Sequence, residues 1–269
     1  MIWENNDKII DSHVHMGFYG SYEIKLEELL KDMDRFGVDQ AVISDISLNS
    51  LDEQGIERFP DKDTIALNSC ALKRINAYGD RFLLLFWVRP LFDRNKEQLS
   101  RFLLENKERI GGLKVHPKTA GVPFSSAAYK PYLELCRRHN IPFCIHTQRD
   151  GYSNIEYVYE AAADNPDVTF VAVHMDLGGD RESASELIAS CPNLYGDTTL
   201  VSKEEMIKAI KKCGPEKILF GTDASVFGRD SYKRYEGFYD TVLKIFGRDG
   251  AERVFYKNAR KLFWKETYE

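Results

Sequence analysis

Ile9-Ile10-Asp11-Ser12-His13-Val14-His15 is an apolar pair running into polar residues at alternate positions. If the run is a strand, successive side chains alternate faces, so Asp11, His13 and His15 point the same way. Two imidazoles on one strand face can grip a single divalent cation, since imidazole nitrogen is a common ligand for zinc and other first-row metals. An isolated H-x-H also reads as polar decoration at a strand end. The other histidines decide between the two.

His116 follows Gly111-Gly112-Leu113-Lys114-Val115, His146 closes Ile141-Pro142-Phe143-Cys144-Ile145, and His174 closes Val168-Thr169-Phe170-Val171-Ala172-Val173. Asp223 closes Ile218-Leu219-Phe220-Gly221-Thr222 in the same way. Each run is short, apolar and rich in β-branched or aromatic residues, the pattern of a buried parallel strand. Polar residues therefore recur at the carboxyl ends of successive strands. Only His139, in Arg137-Arg138-His139-Asn140, breaks the rule and reads as a solvated helix end.

Between these runs lie amphipathic stretches, so strand and helix alternate along the chain. Strands are expected at Lys8 to His15, Gln40 to Ser44, Phe82 to Val88, Ile110 to Val115, Pro142 to His146, Thr169 to His174, Asn193 to Asp197 and Lys217 to Thr222. In Lys25 to Phe36, Leu26, Leu29, Leu30 and Met33 share a helical face, and Gly37 supplies the left-handed stop. Two further helices, Tyr232 to Phe246 and Ala251 to Phe263, finish the chain. Parallel neighbours need crossovers, and eight β-then-α units in about 250 residues match a closed (β/α)₈ barrel. The expected architecture is α/β, a single TIM barrel over residues 1–269 with an extra C-terminal helix. Catalytic residues of such barrels sit at the carboxyl ends of the strands, where the histidines and Asp223 already are.

Composition excludes other classes. A net charge of −5 gives no reason to expect nucleic acid or an anionic membrane as partner. No apolar stretch approaches the roughly 20 residues that span a bilayer. Five cysteines, an odd number without zinc-finger spacing, read as reduced thiols and suggest a cytoplasmic protein. The loops are short except for Asp45 to Asp63, which points to a small-molecule substrate.

Asp11-Ser12-His13-Val14-His15, Gly112-Leu113-Lys114-Val115-His116-Pro117, His146, His174 and Gly221-Thr222-Asp223, in that order, resemble the amidohydrolase superfamily. The resemblance is closest to the branch holding the "amidohydrolase 2" proteins and aminocarboxymuconate-semialdehyde decarboxylase. It extends to the tail Asn258-Ala259-Arg260-Lys261-Leu262-Phe263.

His13, His15 and His146 can supply neutral nitrogens and Asp223 an anionic oxygen to one divalent metal, zinc by default, with manganese, iron or cobalt as alternatives. The resemblance implies that Asp223 also takes the proton of an activated water, and that His174 polarises substrate or assists proton transfer. His174 is alternatively a further ligand. Asp11 is either a partner orienting a ligand or a residue of the barrel bottom. The same resemblance favours one metal over a pair bridged by Lys114, and a homodimer. Lys114 and His116 share a face by alternation and read as substrate-side residues. Arg89 and Arg149 are candidates for binding a substrate carboxylate. A metal-dependent hydrolase of a C–N or C–O bond ranks first. A non-oxidative decarboxylase is the alternative, favoured if Arg89 or Arg149 faces inward, and a non-catalytic barrel ranks third.

Overall fold

The computed structural model describes residues 8–49, 63–93 and 95–266. Among the described residues nine strands form one sheet: β1 Ile10–Tyr19, β2 Tyr22–Ile24, β3 Gln40–Asp45, β4 Phe82–Trp87, β5 Ile110–Val115, β6 Phe143–Gln148, β7 Phe170–Leu177, β8 Leu194–Asp197 and β9 Ile218–Leu219. All except β2 run parallel, in chain order from β1 to β9. The ring closes between its ends. Ser12 N–H donates to Phe220 O at 2.8 Å, Asp223 N–H to His13 O at 2.9 Å, and His15 N–H to Ala224 O at 2.8 Å. Crossovers are made by α1 Leu26–Phe36, α2 Thr64–Asn76, α3 Lys96–Glu105, α4 Lys130–His139, α5 Ile155–Asp164, α6 Arg181–Ser190 and α7 Lys203–Cys213. The eight expected strands are the eight parallel ones, and the (β/α)₈ reading holds.

Three details differ from expectation. Strand β2 was not foreseen. It pairs antiparallel with the end of β1 across the two-residue loop Gly20-Ser21, where Gly20 takes φ 60° as a tight hairpin requires. Tyr232 lies not in a long helix but in a 3₁₀ turn, Ser231–Tyr235, that precedes α8 Phe238–Glu252. Helix α8 is interrupted at Gly247 (φ 73°), and the chain continues through π-helical turns at Arg253–Lys257 and Arg260–Trp264. Most of the long loop expected from Asp45 to Asp63 lies outside the described residues. Among those described, no helix is long and apolar enough to cross a membrane.

Two apolar layers result. The larger holds Ile9, Val14, Met16, Ile43, Leu84, Phe86, Leu113 and Phe170 with the inner faces of the helices. The smaller fills the barrel with Ile10, Val42, Leu83, Leu85, Cys144, Val171, Val173 and Leu219, and Leu262 and Phe263 of the terminal helix pack against it. Tight packing explains Gly112: a Cβ there would lie 2.7 Å from Pro142 O and 3.1 Å from its ring. Backbone cannot yield cheaply, so Gly112→Ala should destabilise the fold by about 1–3 kcal/mol. A lowered urea midpoint at unchanged m-value would register this, and an unchanged midpoint would refute it.

Candidate metal centre and cavity

At the carboxyl ends of the strands the ring opens into a cavity of about 530 Å³. Its wall includes His13, His15, Trp87, Lys114, His116, His146, His174 and Asp223, with Tyr19 and Phe227 at the rim. Most arrive by simple alternation: Leu83, Leu85 and Trp87 share one parity, as do Cys144 and His146, while Asp223, of the same parity as Leu219, lies past the end of β9 and takes φ 64°.

Two positions depart from alternation. Ile10 faces the barrel interior while Val14 and Met16 face the helices, so the parity changes between them. The change is a β-bulge, seen as a register shift against β3 between Asp11 and Val14. His13 and His15 consequently look into the cavity, but Asp11 does not join them. Its carboxylate accepts from His13 N–H at 3.0 Å and from the Thr222 hydroxyl, and burial raises its pKa to about 7. The expectation that Asp11 shares the face of the two histidines is therefore corrected. In β7, Val173 already points inward, so alternation would send His174 outward. His174, Met175 and Asp176 instead adopt φ of 71°, 47° and 64°, and this left-handed turn brings His174 into the cavity. Such backbone costs about 1–3 kcal/mol per residue and persists where surroundings hold it, often at functional sites.

His13 Nε2, His15 Nε2 and an Asp223 carboxylate oxygen all lie within 4.8 Å of one another. His13 Nε2 is 3.1 Å from His15 Nε2 and 3.4 Å from Asp223 Oδ1, and His15 Nε2 is 3.0 Å from the same oxygen. The far side of each ring is anchored. His13 Nδ1 faces Asp197 Oδ2 at 3.2 Å and the Thr199 hydroxyl at 3.1 Å, and His15 Nδ1 faces the Ser44 hydroxyl at 3.0 Å. With the outer nitrogens engaged, both Nε2 atoms and the Asp223 oxygen face one point, an arrangement that suits a cation. Burial, then the Lys114 charge, lowers the His13 pKa to about 3, so its ring is neutral near pH 7, the form that binds metal. Burial would raise the Asp223 carboxyl, but the imidazoles beside it pull it far below the usual carboxylate range.

The remaining expected residues divide. His146 is not in the three-residue cluster: its ring stacks on His116 at 3.7 Å and 11°, meets the His174 ring at 4.5 Å, and its Nε2 lies 3.3 Å from Gln148 Oε1. Burial holds His146 well below, and His116 down to about 3 against, the ordinary imidazole value. Lys114, 1 % exposed, has Nζ 3.1 Å from His13 Nε2 and lines the cavity. Arg89 and Arg149 do not. The Arg89 guanidinium lies over the Phe92 ring at 4.5 Å, and Arg149 is exposed beside Asp176 and Asp180. His139 is half-buried and bonded to the Ser100 hydroxyl at 2.8 Å, away from the cavity.

Sequence reading missed Asp197, Thr199 and Ser44. The signal was present for two of them. Asp197 ends an expected strand as His146 and Asp223 do, and Ser44 ends another.

A (β/α)₈ barrel carrying a two-histidine, one-carboxylate cluster at the carboxyl ends of its strands defines a class of hydrolases and lyases. The family model described as "Amidohydrolase" matches residues 10–264, and the chain belongs to this family of enzymes. No curated protein matches the chain in sequence. Its fold is similar to that of 2,6-dihydroxybenzoate decarboxylase from Rhizobium, at 15% identity and TM-score 0.69 over 96% of this chain and 99% of that one. Dihydroxybenzoic acid decarboxylase from Polaromonas sp. JS666, with bound manganese and the inhibitor 2-nitroresorcinol, gives 13%, 0.72, 96% and 97% for the same measures. For 5-carboxyvanillate decarboxylase from Sphingomonas paucimobilis they are 16%, 0.67, 96% and 99%.

Proposed function

We propose that this chain is a metal-dependent, non-oxidative decarboxylase of a small carboxylic acid. The observation that carries the reading is that three similar barrels, aligned over nearly their whole length, are decarboxylases of aromatic acids, one holding manganese. That ranking reverses the order of the sequence reading, which put hydrolysis first. Neither Arg89 nor Arg149, named there as favouring decarboxylation, is on the cavity wall, and among the described residues the cation there is Lys114. A cavity of about 530 Å³ walled by Trp87, Tyr19, Phe227 and the stacked His116–His146 pair suits a small planar molecule.

His13, His15 and Asp223 would hold the ion, with His146 or His174 as a further ligand; the His174 ring lies 5.4 Å from that of His13. Zinc and manganese are the two to test. When bound, the ion supplies a Lewis acid that polarises a substrate oxygen. Lys114 offers a buried ammonium to the substrate anion. Decarboxylation breaks the bond to the carboxylate carbon, leaves the electron pair on the substrate carbon, and needs one proton delivered there as carbon dioxide departs. We assign that proton movement to His174, whose ring lines the cavity: its Nδ1, 3.4 Å from the Thr199 carbonyl, keeps one hydrogen there, and its Nε2 would relay to the substrate carbon a proton taken up from solvent. Asp223 is held ionised and acts as an acceptor rather than a donor.

The test is to load the protein with manganese or zinc and follow carbon dioxide release from hydroxylated benzoates, beside hydrolysis of small amides, esters and lactones. Release from an acid without hydrolysis of the others is expected. Hydrolysis of an amide or lactone, with no carbon dioxide from any acid, would restore the hydrolase reading.

A further inference from the structure

Asp197 ends β8 with 1 % of its surface exposed, and its two oxygens serve different elements. Oδ2 faces His13 Nδ1 at 3.2 Å, while Oδ1 accepts from His174 N–H at 2.8 Å and from Thr199 N–H at 3.2 Å. We propose that Asp197 is a positioning residue that fixes His13 in the tautomer offering Nε2 as a lone pair and holds the left-handed turn carrying His174. The inference rests on the reading that His13 binds a metal ion.

An ionised carboxylate only accepts hydrogen bonds, so the nitrogen facing it must carry the hydrogen. A neutral imidazole has one N–H. Placing it on Nδ1 leaves Nε2 bare, toward His15 and Asp223. The Thr199 hydroxyl, also on Nδ1, can donate or accept and does not decide the tautomer. The carboxylate does. The other oxygen works on the backbone: the His174 N–H that it holds belongs to the first of three consecutive left-handed residues. Space for the arrangement is kept by Gly221, where a Cβ would sit 2.7 Å from Thr199 Oγ1 and 3.1 Å from Asp197 Oδ2.

Asp197→Asn separates the two functions. Its amide oxygen can keep the bonds to His174 and Thr199, which turns the NH₂ group toward His13 Nδ1. That nitrogen must then accept, and the hydrogen moves to Nε2. We expect affinity for manganese or zinc, measured by chelator competition, to fall about 10–100-fold, while His139→Ala leaves it unchanged. Nitrogen-15 NMR of the metal-free protein supplies a readout that a merely structural role would not move. The His13 ring, assigned by its loss in His13→Ala, should be protonated on Nδ1 in the unsubstituted protein and on Nε2 in Asp197→Asn. Wild-type affinity in a folded Asp197→Asn, or Nε2–H in the unsubstituted protein, would overturn the proposal. If Asp197→Asn does not fold, the tautomer of the unsubstituted protein alone decides. A tautomer switch in a protein that binds no divalent ion would uphold the positioning role and defeat the metal reading instead.

Discussion

His13→Ala and Asp223→Asn should each abolish tight metal binding and lower kcat/KM on the order of 10³-fold or more, about 4 kcal/mol of transition-state stabilisation. Both residues contribute an atom to a cluster whose donors lie within 4.8 Å of one another. Loss of an outer partner of a metal ligand typically costs about 10–100-fold, and loss of a ligand itself costs more. The two substitutions act differently on what remains. His13→Ala removes a nitrogen donor and leaves Asp197 without its ring partner. Asp223→Asn keeps the shape and removes the negative charge opposite His13 and His15. Metal binding also stabilises the native state, by about 2.7 kcal/mol when the free ion is at 100 times its Kd. A metal-dependent rise in Tm is expected in the parent and should vanish in both variants while persisting in His139→Ala. Elemental analysis per chain and a melt with and without chelator check this. Full occupancy in both variants would remove the ligand assignment.

Alternation made the barrel legible before any coordinates. A parallel strand buried on both faces is an apolar run, and eight such runs separated by amphipathic helices leave few alternatives to a closed barrel. Trp87, Lys114, His116 and His146 follow from the same periodicity and reach the cavity as parity demands. Parity fails where the backbone stops being a regular strand. The bulge between Asp11 and Val14 swaps the faces of β1, and no feature of Asp11-Ser12-His13 announces it. His174 arrives inside through left-handed residues with full side chains, conformations that propensity disfavours and only tertiary contacts such as the Asp197 bond can hold. The short β2 hairpin had a local signal in Gly20-Ser21 between tyrosines, but three residues are too few for a period to show. Arg89 and Arg149 illustrate the opposite limit. A residue just past a strand end lies in a loop, and its direction is set by packing: Phe92 takes the first and the acidic loop after β7 the second.

Selecting for histidine alone also hid part of the site. The carboxyl end of nearly every barrel strand brings a polar or aromatic group, and those that touch no substrate still decide how the others are presented. Ser44 and Asp197 hold the outer nitrogens of His15 and His13, so the two rings differ in what fixes them: a hydroxyl for one and a carboxylate for the other. A carboxylate is an obligate acceptor and a hydroxyl is not. The tautomer of His13 is thus the more firmly fixed of the pair.

Lys114→Met should lower kcat/KM on a carboxylate substrate about 10²-fold while leaving one metal per chain. Met keeps an unbranched apolar side chain one atom shorter than that of lysine and removes the charge together with its hydrogen-bond donors. In the structure the ammonium lies 3.1 Å from His13 Nε2, deep in the barrel, where burial lowers its pKa. That nitrogen has a single lone pair and cannot serve both an ammonium and a metal ion. In the loaded protein Lys114 would need another acceptor, and a substrate anion in the cavity it lines would supply one. A charge-assisted hydrogen bond is worth about 1.5–3 kcal/mol, which is the source of the expected factor. Elemental analysis beside steady-state kinetics separates the readings. Unchanged metal with depressed kcat/KM assigns the lysine to substrate. A parent holding two metals per chain, with Lys114→Met holding one or none, would instead make Lys114 part of a two-metal ligand set. Full activity with full metal would leave it neither role, and the cavity would then need another cation to meet its acid.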